Sequence, residues 1–280
     1  MNQNFKIQKK ILALLYFTFL GCETQSPNNN ILALLPLLSQ ISNSNQICPK
    51  GETPSNIHLA NTVVNLTKSS VGGFDDVTKA INGVCGTGEF SGSLDVYALD
   101  ITGASAQITL SFGGKTVKNV AGSVDFVVYD NTFRISGESS TYNVDPAVVT
   151  VSQDGINFCG FNPVYSGDSS TITQISVWQR FAGLRPVYYN MLSANFNAEQ
   201  LFTPDGNGFL LGGGDGFDLE DLSDNADLGA DGCNTALRNQ IKVNGFHYIR
   251  IRTAADLGFS WPAGSYNGSD IDGVVAKQVD

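Results

Sequence analysis

The sequence predicts an all-β fold, an antiparallel sandwich or barrel, and three observations carry that prediction. Short β-branched runs recur between Gly, Asn, Asp and Pro turn signals. Helical periodicity is scarce over the same span. Charged residues make up only 15% of the chain, where about 25% is usual in globular domains. In chain order the expected strands are Ser93–Asp100, Gln107–Phe112, Val124–Asp130, Ala147–Gln153, Ile172–Gln179, Phe246–Arg252 and Ile271–Ala276. One short helix is expected at Phe74–Ile81, where Asp75 and Asp76 suit the positive helix end. Many short strands without intervening helices favour antiparallel pairing over βαβ units. Residues 48–280 are therefore expected to form a single domain with long loops, the longest being 183–244.

The N-terminus carries a different signal. Lys6, Lys9 and Lys10 precede the apolar run Ile11–Leu20, and Gly21 stands just before Cys22. That run falls short of the ~20 apolar residues a spanning helix needs, so residues 1–21 are expected to be a secretory signal peptide. The ending Leu20-Gly21-Cys22 resembles the lipobox of bacterial lipoproteins. The resemblance implies that Cys22 is diacylated on its sulfur and becomes the first residue of the mature chain. Its expected partner is then a membrane, reached through the N-terminal lipid, and its location the cell envelope, at the outer membrane.

Residues 22–47 form the lipidated cysteine and a polar tether. The pentad "ILALL" occurs at Ile11–Leu15 and again inside this tether at Ile31–Leu35. Leu34, Leu37, Leu38 and Ile41 fall on one face of a short helix, too short to cross a bilayer.

Sixteen basic residues stand against twenty-six acidic ones, a net charge of −10. Loss of the three signal-peptide lysines leaves thirteen basic residues and a charge of −13. Such a surface argues against nucleic-acid binding, which draws on clustered Lys and Arg. It leaves membrane anchoring to the acyl chains.

Besides Cys22 there are four cysteines, Cys48, Cys85, Cys159 and Cys233. In an exported chain an even number suggests disulfides, with three possible pairings. Cys48–Cys85 with Cys159–Cys233 is favoured, because it staples the N-terminal segment to the start of the domain. No CxxC and no Cys/His cluster points to zinc.

Six segments, "KAINGVCGTG", "QITLSFGGKTVKNVAGSVDFVVYDNTF", "DPAVVTVSQDGINF", "GGGDGFDLEDL", "FHYIRIRTA" and "SDIDGVVA", follow one another across most of Val63–Ala276. In that order they resemble a family of bacterial surface lipoproteins well represented among leptospiral lipoproteins. The resemblance implies a jelly-roll-like β-sandwich similar to carbohydrate- or cell-surface-binding modules. It brings no established activity.

Within "GGGDGFDLEDL", Asp215, Asp218 and Asp221 are candidate calcium ligands, with Asp205 or Asn207 as further oxygens. Calcium takes six to eight oxygens, and glycines let backbone carbonyls turn inward. Ser223–Gly232 lacks the two-residue spacing of an EF-hand loop and is expected to be an acidic surface loop. Gly113–Thr116 lacks the first glycine of a phosphate loop and is expected to be a hairpin turn.

His58 and His247 are the only histidines and no G-x-S-x-G occurs, which argues against nucleophilic catalysis. A carboxylate pair of glycosidase type stays open among so many acids. Tyr188 and Tyr189 in the long loop are candidate ligand contacts, since aromatics bury area at low entropic cost. Tyr248, Arg250 and Arg252 alternate on one strand face and form a second candidate strip. The expected function is a lipid-anchored binding or adhesion module for a glycan, a host matrix or an envelope partner. An exported glycan hydrolase and a structural envelope lipoprotein are the alternatives.

Overall fold

The computed structural model describes residues 54–67, 73–99, 106–135, 140–168, 170–223, 230–254 and 268–280. The expected signal peptide, Cys22, the expected tether, Cys48, Trp261 and Tyr266 lie outside the described residues. Fourteen strands are described. The first seven are β1 (His58–Leu59), β2 (Thr62–Thr67), β3 (Tyr97–Ala98), β4 (Gln107–Ser111), β5 (Phe126–Asp130), β6 (Phe133–Arg134) and β7 (Tyr142–Asn143). The other seven are β8 (Ala147–Ser152), β9 (Cys159–Gly160), β10 (Val164–Tyr165), β11 (Trp178–Gln179), β12 (Asp215–Phe217), β13 (Tyr248–Thr253) and β14 (Asp270–Ala276).

They build an all-β sandwich. One sheet runs β1-β14-β5-β12, with β3 also on β14, and the other runs β2-β4-β13-β8-β9. Every pairing within them is antiparallel. Phe126, Val128, Ile271, Val274 and Ala276 of the first sheet share one apolar core with Ile108, Leu110, Val149, Val151, Ile249 and Ile251 of the second. Phe126 is its centre, stacked on Phe217 at 5.2 Å and edge-on to Phe246 at 5.2 Å.

The outer face of the first sheet is covered as well. Val127, Tyr129 and Val275 pack beneath Val187, Tyr189, Met191, Leu201 and Phe202. A third cluster joins Tyr142, Val144 and Val148 to Trp178, Phe181 and Leu184. This double cover explains why β5 and β8 are buried at every position. The 183–244 region thus has its own local order.

The strands at 107–111, 126–130, 147–152, 248–253 and 270–276 match expectation closely. Elsewhere the structure corrects it. The helix expected at Phe74–Ile81 is a 3-10 turn, Val77–Ile81, capped by Asp76, whose Oδ1 accepts from Thr78 N. Only Tyr97–Ala98 of Ser93–Asp100 pairs as a strand, and Ile172–Gln179 is a 3-10 turn (Ile175–Val177) followed by β11. Thr235–Asn244 is a ten-residue helix, α1, that strand-centred reading overlooked. Its boundaries are chemical: Asn234 Oδ1 accepts from Leu237 N, and Gly245 ends it at φ +86°.

Cys159 and Cys233 form the expected disulfide, tying β9 to the start of α1. Cys85 is also disulfide-bonded, and its expected partner Cys48 lies outside the described residues. Gly113 and Gly114, at φ +66° and +83°, make the expected turn, bridging Phe112 to Lys115.

Candidate functional site

The outer cover brings together groups far apart in sequence. β6 and β7 pair so that Arg134 lies opposite Tyr142. Arg134 N donates to the Glu89 carbonyl at 2.6 Å, fixing the 89–92 turn against β6. The Arg134 guanidinium then lies over the Phe90 ring, 4.6 Å from its centroid. Its Nε is 3.1 Å from Glu89 Oε1, at ion-pair distance without the alignment of a hydrogen bond. Phe90 is 54% exposed, so this aromatic is presented to solvent and braced from behind.

Tyr188 joins the same face. Burial raises its hydroxyl to a pKa of about 12, helped by Glu89, Tyr142 and Asp205 and opposed by Arg134. Phe209 lies 6.4 Å from Tyr142 and 5.7 Å from the Arg185 guanidinium. Asp205 Oδ1 accepts from Asn207 N and Phe209 N, closing the turn that carries Phe209. Phe90, Arg134, Tyr188, Arg185 and Phe209 therefore gather around the buried Tyr142 as an aromatic and arginine surface.

Arg185 links this surface to buried carboxylates, of which Asp130 and Asp215 lie by register on the inner face of the first sheet. Arg185 Nη1 donates to Asp215 Oδ1 at 2.7 Å, and Leu184 N donates to Asp215 Oδ2 at 2.9 Å. Burial outweighs these partners and still raises the Asp215 pKa. Asp130 and Asp145 are both buried. Burial pushes Asp130 well above the carboxylate range, reinforced by Asp145, Asp270 and Asp215. Burial does the same to Asp145, with Asp270 adding to it. Asp270 rises to about 6 through burial, partly opposed by the hydrogen bond from Asn131 Nδ2. Asp130 Oδ2 accepts from Asp270 N at 3.1 Å, while Oδ1 of both residues has no hydrogen-bond partner. Burial and mutual repulsion thus favour the neutral form of Asp130 and Asp145. Asp130 and Asp145 stood in the sequence only as motif positions of the resembling segments, with no site role, because each ends or precedes a strand that reads as ordinary.

The calcium candidates are placed apart in role. Asp215 serves Arg185, and Asp218 Oδ1 caps the 3-10 turn Leu219–Asp221 through Glu220 N. Asp221 is exposed on that turn. Among the described residues no group of three or more His, Cys, Asp or Glu side chains is arranged to hold a metal ion.

The candidate contacts divide too. Tyr188 lies on the aromatic face, but Tyr189, 1% exposed, points into the outer core against Tyr129. Alternation explains the split, since adjacent residues of an extended segment face opposite ways. On β13 the expected outward strip is closed over at Arg250. Its guanidinium lies 4.0 Å from the Phe158 ring centroid and 4.0 Å from Asp231, and burial lowers its pKa to about 10. Segment 231–232 bridges to Phe158 and helps form that cover. Tyr248 and Arg252 stay half-buried at either side. His247 is half-buried as well, with Nδ1 3.4 Å from the Lys115 carbonyl.

No helix among the described residues is long and apolar enough to cross a membrane. Comparison of the chain with protein-family models and with curated proteins finds no match.

Proposed function

We propose that this chain is a lipid-anchored binding module of the bacterial cell envelope whose ligand surface is the aromatic and arginine face. The observation that carries the reading is Phe90, solvent-exposed and yet held by the Arg134–Glu89 brace. A pre-set aromatic loses little freedom on binding, and Tyr188 and Phe209 extend the platform. Stacking rings edged by arginine and carboxylate groups suit the apolar face and hydroxyls of a glycan. Anchoring is assigned to Cys22, at the lipobox-like boundary, and the surface-lipoprotein resemblance supports that placement.

Binding of the full chain to immobilised glycans tests the platform. Phe90→Ala should weaken binding about tenfold or more, the usual loss for an aromatic hot spot, with an unchanged melting temperature. Equal binding by wild type and variant would remove the proposal. For the anchor, Cys22→Ser should abolish incorporation of labelled fatty acid.

A second reading is glycan hydrolysis, and Asp270 beside Asp145 is what favours it. A carboxyl group with a pKa near 6 suits a general acid. Release of reducing ends from bound glycan, lost in Asp270→Asn, would select this reading over binding alone.

A further inference from the structure

Lys79 and Asp95 form an ion pair unlike the other lysine pairs among the described residues. Lys79 Nζ contacts Asp95 Oδ1 directly, and the two side chains are only 19% and 10% exposed. The acids that pair with Lys118, Lys242 and Lys277 are 59%, 59% and 76% exposed, so those pairs are surface contacts. Neither Lys79 nor Asp95 belongs to the aromatic face or to the carboxylate group described above.

Three elements build the pair. Lys79 lies in the 3-10 turn Val77–Ile81, whose C-terminal cap, Asn82, is buried. Asn82 Nδ2 donates to Asp95 Oδ2 at 3.0 Å. Asp95 N donates to Ser93 Oγ at 3.3 Å, and the Ser93 hydroxyl donates in turn to the Asp272 carboxyl on β14. Ala80 and Tyr97 belong to the core between the sheets, and Val77 and Ile81 pack against it. The Asp95 carboxyl is therefore held by a lysine nitrogen on one oxygen and an amide N–H on the other, at a site largely closed to solvent.

We propose that Lys79 and Asp95 form an intramolecular isopeptide bond. An ammonium and a carboxylate give one amide and one water, so atoms and charge balance without a co-reactant. Lys79 first passes a proton to Oδ1, the oxygen it touches, and the free amine then attacks Cγ. The Asn82 N–H steadies the charge that gathers on Oδ2. A second nitrogen proton moves to Oδ1, the Cγ–Oδ1 bond breaks and water leaves, with Oδ2 kept as the amide oxygen. Contact between the reacting groups supplies the proximity that this condensation lacks in free solution. Burial also penalises the ion pair from which it starts. Asp272 is fully buried, and burial pushes it well above the carboxylate range. That withdraws a negative charge which would otherwise hold Lys79 as its ammonium. The bond closes residues 79–95 into a covalent loop and fixes the base of the turn that carries Phe90.

Tryptic mapping of the reduced, denatured full chain tests the bond. Trypsin should not cleave after Lys79, and the peptide spanning Lys79 and Asp95 should be lighter than its sequence by one water. Lys79→Arg keeps the charge but cannot form this amide, and should restore both cleavage and full mass. Its melting temperature should fall by about 5–10 °C, the loss expected on opening a short covalent loop. Asp95→Ala should restore cleavage and mass as well. A wild-type chain cleaved after Lys79, with its peptides at full mass, overturns the proposal. A water loss that persists in Lys79→Arg overturns it too, because the loss then belongs to another aspartate. The decisive mass is read on the unaltered chain, so a variant that fails to fold leaves the test intact.

Discussion

The two faces of the first sheet are both buried, but by different means. The inner face meets another sheet, and its neighbours are aliphatic and aromatic side chains. The outer face meets loop and 3-10 segments that contribute Val187, Tyr189, Leu201 and Phe202. At one end of the inner face, Asp215, directly opposite Val128, and Asp130, two residues beyond it, lie close to Asp145. A sheet packed on a sheet excludes polar groups by periodicity, whereas a loop must bring its backbone and polar side chains with it. The aromatic and arginine groups gather on loop and hairpin segments, whereas Asp130 and Asp215 belong by register to the inner face of the first sheet.

The largest effects should separate the two faces by stability. Phe126→Ala empties the centre of the inner core and is expected to cost about 3–5 kcal/mol in denaturant unfolding. The disulfide comes next. Replacing Cys159 and Cys233 by Ser opens a loop with a sequence separation of 74, and loop-closure entropy sets the loss at about 4 kcal/mol. Both changes should weaken the whole domain. An outer-cover change such as Leu201→Ala is expected to cost about 2–3 kcal/mol and to raise protease cleavage within 192–208 first. Equal cleavage in the Phe126 and Leu201 variants would erase the distinction between the faces.

The buried carboxylates sharpen the comparison through pH. Asp270 has a raised folded pKa of about 6, so its neutral form is the one the fold favours. Its contribution is complete below the ordinary carboxylate pKa and is lost as pH rises through about 6. Asp270→Asn should therefore raise stability at pH 7 by about 1–3 kcal/mol and flatten the melting-temperature profile between pH 4 and 7. A variant less stable than wild type at pH 7 would show that the charged form is the one the fold uses. The smallest effect concerns calcium. With Asp215 committed to Arg185 and Asp218 to a cap, a chelator should shift the melting temperature by less than about 1 °C. A larger drop, restored by calcium, would return these carboxylates to the role their spacing suggested.

Much of the sandwich was legible from local pattern. Residues 107–111, 126–130, 147–152, 248–253 and 270–276 are long enough and rich enough in β-branched residues to declare themselves. Helix α1 was not, because "TALRNQIKVN" carries one fully buried side chain, Ile241, and so has almost no apolar stripe. Its Asn234 cap and the Gly245 stop were readable signals. In the candidate site, Tyr188 was named for its aromatic character, but Phe90 and Arg134 were not. Their value lies in stacking on one another across a turn, a relation with no sequence spacing of its own.

The sequence by itself determined the antiparallel sheets, the turn at Gly113–Gly114 and the apolar core, since each follows from side-chain period and glycine backbone freedom within a few residues. Tertiary structure alone decided which of Tyr188 and Tyr189 faces solvent, that Arg250 is covered by Phe158, and that Asp130, Asp145 and Asp270 share one buried group. Periodicity acts between near neighbours, but burial and electrostatic coupling depend on what the rest of the chain lays on top.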